Sequence, residues 1–184
     1  MSSIIKVNTY QDANGNALFS SDGSGNVTTS ATGLQNTPSF LARLSSLTTI
    51  SGNTDTKAQC DTVLYDIGGY YDNTTNYRYT PQVAGKYYVY GQVYSDQSLQ
   101  SQMHFVSSAI WKNGSRFGLS IIDFRGNYGG YNTAPHFSCV IDMNGTTDYI
   151  ELYGRLQIQG GTPQFNATGS ELRTFFGAYR IIGA

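Results

Sequence analysis

The chain has 184 residues, 39% hydrophobic and 14% aromatic, which is enough to bury a compact core. Only 12% are charged, and 11 Lys plus Arg against 12 Asp plus Glu leave a net charge of -1. No basic run could track a phosphate backbone, and no apolar stretch approaches the ~20 residues that cross a bilayer, so neither nucleic acid nor membrane insertion is expected.

The opening Met1-Ser2-Ser3-Ile4-Ile5-Lys6 lacks the apolar centre of a signal peptide, which predicts folding in a cytoplasm. Residues 1–36 form a polar segment with two turn signals, Asn14-Gly15 and Asp22-Gly23-Ser24-Gly25, between the short apolar pieces Ile4-Ile5-Lys6-Val7 and Ala17-Leu18-Phe19. That pattern predicts small hairpins without a core of their own. Such a segment needs an external partner to hold it, either a copy of itself or another protein.

From Pro38 onward, strand follows strand with no convincing helix. Residues 38–44 open the sheet, and a polar loop follows at 52–55. Strands are then expected over 62–65, 70–72, 86–94, 103–111, 117–122, 136–143, 148–158 and 173–182. Along 87–94, Tyr87, Val89, Gly91 and Val93 alternate with Tyr88, Tyr90, Gln92 and Tyr94. Tyrosines on the second face point to a second packing surface, another sheet or another subunit. Ile150, Leu152, Gly154, Leu156 and Ile158 alternate in the same way with Tyr149, Glu151, Tyr153, Arg155 and Gln157. Eight or more short strands bounded by Gly and Asn turns define an all-β antiparallel sandwich or jelly roll.

The order of several sequence pieces is similar to the globular head of complement C1q, within the tumour necrosis factor-like jelly-roll superfamily. Pro38-Ser39-Phe40-Leu41-Ala42 resembles the first strand of that family. Tyr71-Asp72-Asn73 before Tyr79-Thr80, and Val83-Ala84-Gly85-Lys86-Tyr87-Tyr88, resemble its central signature. Trp111-Lys112-Asn113-Gly114, Met143-Asn144-Gly145-Thr146-Thr147-Asp148-Tyr149-Ile150 and Phe175-Phe176-Gly177-Ala178-Tyr179 follow in the family's order. Pro81 lies one place early, and the 145–148 loop is two residues longer than usual.

The resemblance implies a trimeric C1q-like jelly-roll domain over residues 37–184, following an N-terminal β-hairpin extension over 1–36. It implies a threefold interface, for which Tyr88, Tyr90, Tyr94, Tyr149, Tyr153, Phe175 and Tyr179 are the candidates. Residues 1–36 resemble the attachment segments of bacteriophage virion proteins, with no Gly-x-y collagen repeat in their place.

Signals for chemistry are sparse. His104 and His136 are the only histidines, and both fall in expected strands. Ser120 and Asp123 have no Gly-x-Ser-x-Gly elbow to make a triad with them. No enzyme activity is expected, and no cofactor. Calcium is conceivable at Asp123, Asp142 and Asp148 but is not assigned, because solvated turn aspartates are the alternative. Cys60 and Cys139 read as reduced, buried thiols. The Asn-x-Ser/Thr triplets at Asn26, Asn73, Asn113, Asn144 and Asn166 read as coincidence in a chain rich in these residues.

Loops 123–132 and 157–166 combine aromatic planes with amides, a chemistry that suits sugar rings or protein epitopes. Phe124, Arg125, Tyr128, Tyr131, Gln159 and Phe165 are therefore the surface-binding candidates. The alternative for both loops is a subunit contact or an ordinary long turn.

Together these expectations describe a non-enzymatic phage virion protein assembled in the host cytoplasm. It would be a homotrimeric head on a tail fibre or appendage, attached to other virion proteins through residues 1–36. Its task would be contact with a host-surface glycan or protein. A capsid decoration protein and a bacterial lectin-like module are the alternatives.

Overall fold

The computed structural model describes residues 7–29, 34–99, 102–125 and 130–183. Among these residues the regular structure is strand, with no α-helix. Four antiparallel sheets account for it.

The first sheet has three strands in the order β1 (Thr9–Gln11), β2 (Ala17–Ser21) and β3 (Val27–Thr29). The remaining three sheets form the jelly roll. One face is a five-stranded sheet in the order β15 (His136–Met143), β10 (Gly85–Gln92), β18 (Phe175–Arg180), β4 (Ser39–Arg43) and β7 (Thr62–Ile67). Opposite it run β13 (Ser115–Asp123), β12 (Met103–Lys112), β16 (Ile150–Ile158), β9 (Arg78–Tyr79) and β8 (Tyr71–Asp72), with β6 (Thr56–Lys57) also pairing with β16. A four-stranded sheet, β14 (Asn132–Thr133), β11 (Ser95–Gln97), β17 (Pro163–Phe165) and β5 (Thr48–Thr49), completes the sandwich.

The period-two patterns decide which residues meet between the sheets. Tyr87, Val89 and Gly91 of β10 point inward, as do Phe176 and Ala178 of β18 and Ile150, Leu152 and Leu156 of β16. Phe40 of β4 sits at the centre. Its ring stacks on Tyr71 at 4.6 Å and on Tyr79 at 4.3 Å, and meets Phe176 edge-on at 5.0 Å. Burying a ring of this size is worth ~1.5–3 kcal/mol, and each ring pair adds ~0.5–1.5 kcal/mol.

Two of the buried tyrosines satisfy their hydroxyls through the main chain, while the Tyr79 hydroxyl has no hydrogen-bond partner among the described residues. Tyr71 Oη donates to the Cys60 carbonyl at 2.9 Å, and Tyr87 Oη to the Val83 carbonyl at 2.7 Å. Desolvation pushes the Tyr87 hydroxyl up to about 12 and the Tyr71 hydroxyl higher still.

Several strand ends differ from the sequence expectation, the one expected over 173–182 running only from Phe175 to Arg180, and at two of them side chains take over the ladder. The strand expected over 86–94 stops at Gln92. Val93 N–H donates instead to Ser108 Oγ (2.8 Å) and Tyr94 N–H to Thr174 Oγ1 (3.0 Å), so the chain turns into β11 of the next sheet. The strand expected from 148 starts at Ile150. Asp148 is engaged by Asn113 Nδ2 (2.8 Å), by the Asn144 N–H (3.0 Å) and by Lys112 Nζ (2.8 Å). These bonds hold its carboxyl below the usual carboxylate range.

Candidate interaction surfaces

The outward face of the five-stranded sheet is aromatic. Tyr88 lies opposite Tyr179 and Tyr90 opposite Gly177, on adjacent strands β10 and β18. Ring centroids are 5.5 Å apart for Tyr88 and Tyr179, 6.0 Å for Tyr88 and Tyr90, and 6.4 Å for Tyr90 and Phe175. Burial first, and then the neighbouring Tyr65 hydroxyl of β7, push the Tyr90 hydroxyl up. At the β7 edge, Leu64, Tyr65 and Ile67 are 48%, 40% and 53% exposed.

Tyr149 and Tyr153 do not join this face. They precede and lie on β16, whose inward residues pack the core from the other sheet, so they look out on the opposite side of the sandwich. Arg78 caps the Tyr149 ring at 4.5 Å. Tyr153 stacks on Trp111 at 4.3 Å, and Lys57 sits 5.8 Å above its ring. Lys57 also bonds the nearly buried Glu151 at 2.6 Å. Above them, Arg116 of β13 pairs with Asp55, which precedes β6. Tyr94 lies elsewhere again, under Arg173 at 5.3 Å. The seven interface candidates thus divide among separate surfaces. Alternation along each strand was legible in the sequence, but which sheet a strand joins was not.

The loop candidates separate by burial. Tyr131 is 45% exposed, Gln159 is exposed, and Arg125 is exposed and bound to Asp123. That guanidinium and the Arg125 N–H hold the Asp123 carboxyl down to about 2. Phe124 is half-buried against the core. Phe165 is not a surface residue: it is 1% exposed, on β17. Its ring fills the space over Gly154, where a Cβ would stand 2.7 Å from Phe165 Cζ. Tyr128 lies outside the described residues.

Sequence reasoning missed the opposite edge of the sandwich. Phe117 and Ile121 of β13, and Val140 of β15, are 51%, 49% and 49% exposed. The edge strands β13 and β15 meet where the Phe137 ring covers Gly118. The apolar alternation of 117–122 was the available signal, but its position at an edge comes from pairing alone.

Asp123 is engaged by Arg125, Asp142 by Lys86 at 2.6 Å, and Asp148 by Lys112. Among the described residues, no group of three or more His, Cys, Asp or Glu is placed to hold a metal ion. The thiols are apart: Cys60 is buried and Cys139 half-buried, and desolvation raises both, Cys139 to about 11.

The fold is an antiparallel jelly roll of the tumour necrosis factor-like class. The Eiger TNF structure from S. frugiperda matches with a TM-score of 0.53 at 12% identity, covering 79% of this chain and 92% of that one. Murine APRIL at pH 8.0 matches with a TM-score of 0.54 at 12% identity, covering 78% and 98%. No family model matches the sequence, and neither does any curated protein.

Proposed function

We propose that the protein is a non-enzymatic structural component of a phage virion. In this reading it is a homotrimeric head on a tail fibre or appendage, assembled in the host cytoplasm and attached to other virion proteins through residues 1–36. Its outer loops meet a glycan or protein of the host surface.

The observation that carries the reading is the placement of two different apolar patches on the two outer faces of one sandwich. Val140 lies opposite Tyr88, so one patch crosses the outer face of the five-stranded sheet from Val140 to Tyr65 and Ile67, while Phe117 and Ile121 form the other on the outer face of β13. A contact between unlike patches is heterologous, and such contacts close into rings when the rotation permits. Exposed apolar surface of this kind marks an interface on an otherwise polar protein. Support for the particle setting is compositional: a charged fraction of 12% and a surface that relies on Ser, Thr, Asn, Gln and Tyr. Tyr131, Arg125 and Gln159 remain open for a host ligand.

Light scattering on the full chain and on residues 37–184, beside a glycan array with the intact protein, tests the reading. Trimers in both with glycan captured support it. Monomers in both overturn the threefold assembly, and a trimer that captures nothing favours decoration of a capsid over host contact.

A further inference from the structure

Residues 12–16 and 22–26 are two copies of one device, each reading Asp-x-x-Gly-Asn at a ten-residue spacing. In the first, Asp12 Oδ1 accepts from Asn14 N–H and Asn16 N–H at 2.9 Å each, and Oδ2 accepts from Asn16 Nδ2 at 2.8 Å. In the second, Asp22 Oδ1 accepts from Ser24 N–H at 2.7 Å and Asn26 N–H at 3.2 Å, and Oδ2 from Asn26 Nδ2 at 2.6 Å. Gly15 and Gly25 take the left-handed turn position, with φ of 84° and 94°. Asp12 and Asp22 are the only charged residues between 7 and 29, and the device keeps both in the turns.

The sheet between those turns is one-sided. Tyr10 pairs with Phe19, Phe19 with Thr29 and Ser21 with Val27, so Tyr10, Phe19 and Val27 share a face. Thr9, Ser20 and Thr28 lie on the other face with Leu18. The apolar face lines a groove of about 270 Å³ with Val7 at its margin. Tyr10, Phe19 and Val27 are 53%, 39% and 66% exposed, so no described residue of this chain covers them. Strands this short need a covered apolar face to persist in water.

We infer that this face is covered by the same face of two further copies, three sheets closing around an axis that continues the axis of the heads. This rests on the trimeric head proposed above. A face without charge lets identical copies meet with no buried or repelling ion. The chain enters the jelly roll at β4, an interior strand of the five-stranded sheet that bears the aromatic face. Three chains would therefore leave the heads from beside the axis. The nine peptide steps from Thr29 to Pro38 span at most ~32 Å, short enough to hold three sheets together at millimolar effective concentration.

The test uses the full chain with Val27→Cys, Tyr10→Cys or, on the hydroxyl face, Thr28→Cys, each treated with a short bis-maleimide. The unsubstituted chain sets the background from Cys139, and light scattering is run on every sample. Trimers in which Val27→Cys and Tyr10→Cys cross-link about tenfold faster than Thr28→Cys are the expected result. Trimers with equal rates at the three positions overturn the inference and leave the head assembly standing, the outcome expected if a different virion protein covers the face. Monomers overturn both.

Discussion

The Tyr90 ring lies on Gly177 of the neighbouring strand, so close that a Cβ at 177 would stand 2.5 Å from Tyr90 Cζ. The absent side chain lets the aromatic face lie flat against the sheet. Gly154 does the same on the inside, beneath Phe165 and Val93. The two glycines therefore predict different outcomes for the same change.

Gly177→Ala displaces a ring that can swing toward solvent. Its effect on unfolding is expected within ~1 kcal/mol, while the flat aromatic surface is lost and any assembly through it weakens. Gly154→Ala meets three atoms of buried side chains at 2.7–2.8 Å and has nowhere to send them. It is expected to cost ~1–3 kcal/mol in urea unfolding. Equal costs for the two would contradict the inside and outside assignment of β16 and β18.

Phe40→Ala removes the ring on which Tyr71, Tyr79 and Phe176 converge. A loss of ~3–5 kcal/mol is expected from the transfer and cavity terms together. Thermal and urea unfolding check it, and a loss below ~1 kcal/mol would show that the core is organised around another residue.

Lys57 is the partner of a carboxylate whose side chain is 6% exposed, while its own is 27% exposed. Lys57→Met leaves Glu151 charged and nearly dry. A cost of ~1–3 kcal/mol is expected, at the low end for a buried pair because water reaches the lysine. Lys57→Met with Glu151→Gln should recover part of it, and a double-mutant cycle measures the coupling.

The pH profile has two limbs. Main-chain N–H groups of Thr75 and Thr74 lower Asp72 far below its ordinary 3.8, and Arg125 lowers Asp123 to about 2. Folded values below unfolded ones mean stability that is complete above about pH 4 and lost as the pH falls toward 2 and beyond. Cys139 and Tyr87 are raised, to about 11 and about 12. Their contribution is complete below the unfolded values and lost as the pH rises through the folded ones. Unfolding midpoints measured from pH 2 to 11 should be flat between pH 5 and 8, and Asp72→Asn should shrink the acid limb.

Much of the β architecture was legible because its signals are local. The run 136–143 appears unchanged as β15, and 103–111 gains only Lys112. Alternation of Tyr and Val or of Ile and polar residues needs no partner to be recognised, since successive side chains leave a strand on opposite sides. The ten-residue repeat of Asp12 to Asn16 and Asp22 to Asn26 was equally readable. It was visible as two turn signals, but the matched aspartate and asparagine escaped notice.

The candidate surfaces were less legible because they depend on which strands become neighbours. By itself the sequence determined the two-faced character of β10 and β16, and the polar, nearly uncharged N-terminal segment. Only the tertiary structure placed Tyr88, Tyr90, Phe175 and Tyr179 on one side of the sandwich and Tyr149 and Tyr153 on the other. It also withdrew Phe165 into the core and put Phe117, Ile121 and Val140 at an edge. The reason is physical: side-chain direction is set within a strand by the pleat, while sheet membership is set by hydrogen bonds between residues far apart in the chain.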